Sequence, residues 1–312
     1  TGGTGFLGRA IVERLSTKDH VIVFDNDSRG SILKIRNRQN ITYVKGDICI
    51  FEDLLKVKKF KISEIYHLAY INGTATFYKK PIEILDVATL GILNVLKFAN
   101  LNNIKNILLA SSSEVYQTPT RIPTDTNERL VVPAIQNPRY SYGLGKIFSE
   151  FYSYHFSKIN NLNIKIFRPH NMFGPDMGNE HVIPQLLKKI FQKKNLNKKK
   201  IKLKIQGSGN ETRSFCFIDD AVEQILAINK YGKKNDIFNI GQTKEMTIKK
   251  LVQSISKIIY KKIVVITSKA PLGATKRRCP NMIKTFKIIK SKNNFEHGLK
   301  KTVEWYAKEY TK

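Results

Sequence analysis

Thr1-Gly-Gly-Thr-Gly-Phe-Leu-Gly8 opens the chain, and its glycine spacing decides the fold. Residues 3–8 fit Gly-x-Gly-x-x-Gly, and residues 1–8 also fit Thr-Gly-x-x-Gly-x-x-Gly. Glycines permit a tight turn and let the backbone approach a diphosphate. The helix that follows offers unpaired N–H groups and the positive end of its dipole. Twenty residues past Gly5, the apolar run Val21-Ile22-Val23-Phe24 ends in Asp25, where a carboxylate can accept hydrogen bonds from the adenosine ribose. An acid there repels a 2′-phosphate and favours NAD over NADP, while Arg29 and Arg36 nearby leave the phosphorylated cofactor open.

Outward from this loop, short β-rich runs at 21–25, 41–44, 64–69, 106–111 and 164–168 alternate with helical patterns at 5–16, 81–100 and 140–160. Apolar residues recur in the latter at spacings of three and four, and Pro81 suits a helix start. Strands alternating with helices predict an α/β fold: a Rossmann-type, doubly wound parallel sheet with right-handed crossovers. The glycine loop ordinarily follows a strand, and the chain starts inside the loop without a Met, so an N-terminal truncation with a missing central first strand is expected. After Pro169 the rhythm breaks. An irregular stretch at 171–180, a Lys-rich helix and strands near 201–205 and 212–218 predict a smaller C-terminal substrate lobe. The expected division is 1–172 for the dinucleotide-binding domain and 173–312 for the lobe. A helix at 219–231 and a strand at 236–240 should return to the main sheet, making about 219–242 part of it, and a loop is expected at 271–280.

At 312 residues and 41% hydrophobic, the chain can bury a large core or two lobes sharing one. Its three cysteines, Cys49, Cys216 and Cys279, are far apart and suggest neither a disulfide framework nor a metal site. No apolar run approaches the roughly 18 residues of a membrane span, so a cytoplasmic protein without membrane association is expected. The formal charge of +29, from 54 Lys and Arg against 25 Asp and Glu, raises the question of nucleic acid. The lysines, however, are spread along the chain and accompanied by abundant Asn and Ile, as AT-rich codons produce. A compositional origin is favoured over a nucleic-acid surface.

Tyr142-Gly-Leu-Gly-Lys146 places a phenol and an ammonium one helical turn apart. A run ending in Ala110-Ser111-Ser112-Ser113-Glu114-Val115-Tyr116 would deliver hydroxyls to the carboxyl end of the sheet, where ligands bind. A tyrosine of pKa about 10 is ionised only about once in a thousand molecules near neutrality, a deficit on the order of 4 kcal/mol. One nearby cation supplies roughly one to three pKa units, so Lys146 together with the nicotinamide charge would suffice. Ionised Tyr142 could then take a proton from a sugar hydroxyl as hydride leaves the same carbon.

With these elements in order, the chain resembles the extended short-chain dehydrogenase/reductases, specifically the NAD-dependent epimerase/dehydratase group acting on nucleotide sugars. Further matches are Gly46-Asp47-Ile48, His67-Leu68-Ala69, the segment 91–96 with Asn94, and Arg168-Pro-His-Asn-Met-Phe-Gly-Pro175. Tyr70 departs from the pattern, standing where a second Ala often follows. The resemblance implies NAD as cofactor, held by Gly2, Gly5, Phe6, Leu7, Gly8, Asp25, Asn26, Asp47, Ile48, Leu68, Ala69 and Asn94, with Tyr142 and Lys146. It also implies Ser112 as the orienting hydroxyl, Tyr142 as base and Lys146 as its partner, with Glu114 beside them as a further catalytic candidate. Ser113, Asn171, Arg213 and Arg278 would meet a nucleotide-diphosphate sugar, and a homodimer is expected. The histidines show no metal spacing, and no metal is expected.

Members begin alike, oxidising C4 of the sugar, then diverge. A 4,6-dehydratase has Asp-Glu before Val-Tyr-Gly; here the pair is Ser113-Glu114, which argues against dehydration. An epimerase needs no added acid or base and is the preferred reading. UDP-glucuronate decarboxylase is the first alternative, resting on Ser-Glu-Val-Tyr and on Arg278 near Pro280. The competing class is a non-catalytic regulator binding NAD or nucleic acid, against which the intact Ser112, Tyr142 and Lys146 argue.

Overall fold

The computed structural model describes residues 1–35, 39–270, 275–290, 292 and 294–311. Arg36, and residues 271–274 of the expected late loop, lie outside them. In chain order the first half runs α1 (Phe6–Leu15), β1 (Val21–Asp25), β2 (Ile41–Lys45), α2 (Phe51–Leu55), β3 (Glu64–His67), α3 (Thr74–Lys79), α4 (Pro81–Leu101), β4 (Asn106–Ala110), α5 (Ser141–Ile159) and β5 (Asn163–Pro169). Then follow β6 (Met172–Phe173), α6 (Val182–Ile190), α7 (Lys193–Leu196), β7 (Lys200–Lys204), β8 (Thr212–Ser214), β9 (Cys216–Phe217), α8 (Ile218–Tyr231) and β10 (Ile237–Ile240). The chain finishes with β11 (Glu245–Thr247), α9 (Ile248–Ile258), β12 (Lys262–Ile266), β13 (Arg277–Arg278), α10 (Ile283–Phe286) and α11 (Phe295–Thr311).

All pairings in the main sheet are parallel, in the order β10-β5-β4-β3, with β1 and β2 paired beside them. Thr1 and Gly2 join the two groups. The Thr1 amine donates to the Tyr66 carbonyl at 2.8 Å, Leu68 N–H to the Thr1 carbonyl at 3.1 Å, and Gly2 N–H to the Phe24 carbonyl at 3.0 Å. The first two residues therefore occupy the line between β1 and β3, and the sheet is doubly wound, with α4 packed against α5.

Strand alternation sorts the core. On β4, Leu108 belongs to one apolar cluster while Ile107 and Leu109 belong to another; on β5, Phe167 faces the first and Ile164 and Ile166 the second. A period of two sends neighbours to opposite faces. The second cluster is covered by Ile92, Val95 and Leu96 of α4, and the first runs on through Phe173, Phe217, Leu203, Leu251 and Leu299. At the end of β5, the buried Arg168 guanidinium grips Glu150 of α5 at 2.8 and 2.5 Å and donates to the Tyr116 hydroxyl and the Thr126 carbonyl.

Three local expectations are corrected. The run 212–218 is two short strands in different sheets, because β8 pairs with β11 and β13 whereas β9 pairs with β6. The late loop contains β13, drawn into extended form by pairing with β8. The run 64–69 stops as a sheet-paired strand at His67, since Leu68 turns its amide to Thr1. The chain also forms α3, which no apolar spacing in the sequence signals. Among the described residues no helix is long and apolar enough to cross a membrane.

Candidate active site

The glycine loop curls over the carboxyl ends of the strands. Gly2 adopts φ +74°, and a Cβ there would come within 2.4 Å of the Ala69 amide nitrogen. A Cβ on Gly8 would meet the Gly2 carbonyl oxygen at 2.0 Å, so α1 crosses the loop only because residue 8 lacks a side chain. Gly5 differs: its Cβ would find nothing nearer than the Gly2 carbonyl oxygen at 3.5 Å. Packing does not demand glycine there; the space it leaves opens into a cleft of about 1290 Å³ that Gly2, Gly5, Phe6, Leu7 and Gly8 line. Gly5 caps α1 without a side-chain acceptor, and no acid sits in the first turn. Free helix N–H groups beside vacant room fit a dinucleotide diphosphate.

Asp25 ends β1 with its carboxylate accepting from Thr4 N–H at 3.0 Å and Asp27 N–H at 2.9 Å, so the presumed ribose acid also braces the loop. Farther along the strand ends, the Asn26 amide donates to Asp47 at 3.0 Å and the Asn94 amide to the Ile48 carbonyl at 2.9 Å. These four form one patch. Leu68 lines the cleft and Ala69 backs Gly2. The Arg29 guanidinium is engaged by the Asn72 carbonyl.

Across the cleft, β4 delivers Ser112, whose Oγ accepts from Glu114 N–H at 3.1 Å at the start of a 3-10 turn over Ser113–Tyr116. The first turn of α5 brings Tyr142 to the same wall, where Ser112 favours the ionised phenol. Phe77 stacks on the Tyr142 ring at 5.0 Å and Tyr70 meets it edge-on at 5.1 Å. Burial pushes the phenol up to about 12; Glu114 adds to the rise, and Ser112 and Arg29 oppose it. Lys146, one turn on, donates to the Ala110 carbonyl at 2.7 Å. Burial lowers its ammonium to about 7, against a smaller opposing pull from Glu150. Ser112, Tyr142 and Lys146 thus line one wall of the cleft, where positive charge brought beside Tyr142 would make its phenol a stronger acid.

At the other end of the cleft Arg278 on β13 pairs with Glu114 at 2.5 Å. Burial would raise the Glu114 carboxyl, but Arg278, with Arg139 and Arg213 beyond it, outweighs burial and holds it below the usual range. Ser113, Glu114, Asn171 and Arg278 line the cleft. Arg213 is turned instead onto the Thr212 carbonyl at 2.7 Å and the Thr275 carbonyl at 2.8 Å, and burial lowers its guanidinium to about 10. Asn171 sits at φ +40° with its amide on the Ser214 carbonyl. His170 is buried, hydrogen-bonds Asn239 at 3.1 Å, and is pushed by burial to about 3; it is a neutral structural group. Among the described residues no cluster of His, Cys, Asp and Glu could hold a metal ion. Phe77, Arg139 and the Ala110 carbonyl carry no sequence signal and are supplied by the fold alone.

A cleft at the carboxyl ends of a doubly wound sheet, with a glycine cradle on one wall and a serine, tyrosine and lysine on the other, defines a dinucleotide-binding α/β protein. The NAD dependent epimerase/dehydratase family model matches residues 1–241, and the chain belongs to that family. It is 29% identical to a UDP-N-acetyl-alpha-D-glucosaminuronate decarboxylase of Bacillus cytotoxicus, covering 98% of this chain and 96% of the relative. It is 30% identical to a putative UDP-glucose 4-epimerase of Methanocaldococcus jannaschii, with the same coverage. Among solved structures, the UDP-N-acetylglucosamine 4-epimerase of Methanobrevibacter ruminantium M1, in complex with UDP-N-acetylmuramic acid, superposes with a TM-score of 0.87. It is 26% identical, over 99% of this chain and 97% of that one.

Proposed function

We propose that the protein is a nucleotide-sugar epimerase that oxidises its substrate transiently at C4 and reduces it again on the opposite face. NAD, held by the glycine cradle, supplies the hydride acceptor and donor. Ser112 orients the C4 hydroxyl through its Oγ. Tyr142 takes the hydroxyl proton on its phenolate oxygen and returns it after the sugar has turned over. Lys146 lies within the same buried wall, where a positive charge favours the phenolate.

The observation that carries this reading is the Glu114–Arg278 ion pair. A carboxyl held below its usual range is an anion at neutral pH and has no proton to give a leaving hydroxyl, and Ser113 supplies none. Dehydration needs such an acid; epimerisation does not. Arg278 favours one second reading. Its guanidinium faces the cleft and could exchange Glu114 for the carboxylate of a uronic acid, as a UDP-glucuronate decarboxylase would require. Both activities occur in the names of relatives.

Incubating the protein with NAD and a panel of UDP-, dTDP-, GDP- and CDP-sugars separates the readings by product mass. An unchanged mass with altered retention is expected. Loss of carbon dioxide would replace the epimerase with the decarboxylase, and loss of water with a dehydratase. Tyr142→Phe is expected to abolish turnover and spare NAD binding. We further propose that the exposed apolar residues Leu90 and Leu101 of α4 and Phe151 and Ile159 of α5 meet a second copy of the chain.

A further inference from the structure

Tyr70 follows β3, between Ala69 and Ile71, beside the cofactor cradle. Its ring lines the cleft, while its hydroxyl is buried with no hydrogen-bond partner among the described residues. The Lys146 ammonium lies 3.7 Å from the centroid of this ring, against 6.0 Å from that of Tyr142. With one N–H on the Ala110 carbonyl, the ammonium rests on the π-face of Tyr70. The fit depends on the neighbouring residue of α5. A Cβ on Gly145 would stand 2.2 Å from the Tyr70 hydroxyl oxygen and 2.5 Å from Ala88 Cβ, so the phenol fills room that a side chain before Lys146 would need.

We propose that Tyr70 is a positioning residue for the Tyr142–Lys146 pair, its ring face holding the Lys146 ammonium in the charged form and its edge holding the Tyr142 ring. Among the described residues, Glu150 lies one turn on along α5 and favours the charge. His67, at the end of β3, is held neutral by burial, with Lys146 itself adding to the effect. A buried cation stripped of water gains most from an aromatic face, and here the ring supplies what solvent does not. This inference rests on the proposed roles of Tyr142 and Lys146 for its catalytic meaning, though not for its geometry.

The test is a lysine-selective NMR titration of the free protein, with the Lys146 signal assigned by its absence in Lys146→Met. Tyr70→Leu should lower the Lys146 midpoint by about 0.5–1.5 pH units, the span of a cation–π contact. Tyr70→Phe, which keeps the ring, should leave it in place. The alkaline limb of the kcat profile should move down by the same amount in Tyr70→Leu. Tyr70→Met, which fills the space flexibly, serves if the leucine variant does not fold. An unmoved or raised midpoint in the leucine or methionine variant overturns the proposal, as does an equal shift in Tyr70→Phe. Because the titration needs neither NAD nor sugar, the expected shift without any nucleotide-sugar turnover would uphold Tyr70 and discard the epimerase. Turnover with an unmoved midpoint would do the reverse.

Discussion

Replacing Gly5 by alanine separates the two reasons for which a glycine can be required. Its backbone, at φ −71° and ψ 174°, is open to any L-residue, and the added Cβ meets only the Gly2 carbonyl oxygen at an ordinary 3.5 Å. Folding should therefore change little. Alanine is a poorer helix cap by about 0.5–1 kcal/mol, and stiffening the unfolded chain returns about 0.4–1 kcal/mol. The net lies within about 1 kcal/mol, or less than roughly 2 °C in Tm for a chain of 312 residues. Binding should not be spared. The methyl projects where a diphosphate would approach the helix N–H groups, and losing one charge-assisted hydrogen bond costs about 1.5–3 kcal/mol, or roughly ten- to a hundredfold in Kd. Gly8→Ala is the control. Its Cβ collides with backbone at 2.0 Å, so stability should fall by at least about 1–3 kcal/mol along with binding. Thermal melts and calorimetric NAD titrations of both variants measure the contrast. A Gly5→Ala protein that binds NAD as tightly as the parent would refute the cradle.

Arg168→Met should destabilise by about 3–5 kcal/mol in urea melts, because the buried Glu150 is left unpaired. Adding Glu150→Leu should recover most of that loss; a double-variant loss equal to the sum of the two single losses would show the charges to be uncoupled. Lys146 binds its proton more weakly folded, near 7, than unfolded, near 10.5. Its burial is therefore costly below pH 7, and the cost fades as pH rises through that window. The urea stability of the parent should gain on that of Lys146→Met between pH 7 and 9.5, and a constant difference would contradict the buried charge. Phe151→Glu with Ile159→Glu should convert a dimer to monomers in analytical ultracentrifugation, and an unchanged mass would locate any dimer contact elsewhere.

What could be read from the sequence was what depends on near neighbours along the chain. Continuous apolar runs marked β1 and β4, the three- and four-residue spacing marked α4 and α5, and the glycine pattern located the cradle because all of its glycines lie within eight residues. Tyr142 and Lys146 are one turn apart, so their common wall was visible as well. The Glu114–Arg278 pair was not, since the two residues meet only when β13 packs along β8. Arg168 was read as part of a motif rather than as the buried partner of Glu150 and Tyr116, for charge pairing inside a core leaves no periodic trace. Asp25 was expected to await a ribose, yet it already braces the loop through Thr4 and Asp27. Tyr70 stood out only as a departure, and its contact with Lys146 emerges from the coincidence of a missing side chain at Gly145 with the register of α5 against β3.

The position of β10 bears on how the molecule is made. It completes the main sheet beside β5, but the ribosome must first produce β6 through α8. Until then β5 emerges with an unsatisfied hydrogen-bonding edge and with Phe167 lacking the cover that later elements give it. Such an open apolar edge invites association between nascent chains. The interval between synthesis of β5 and β10 thus leaves that edge of the sheet open to other chains.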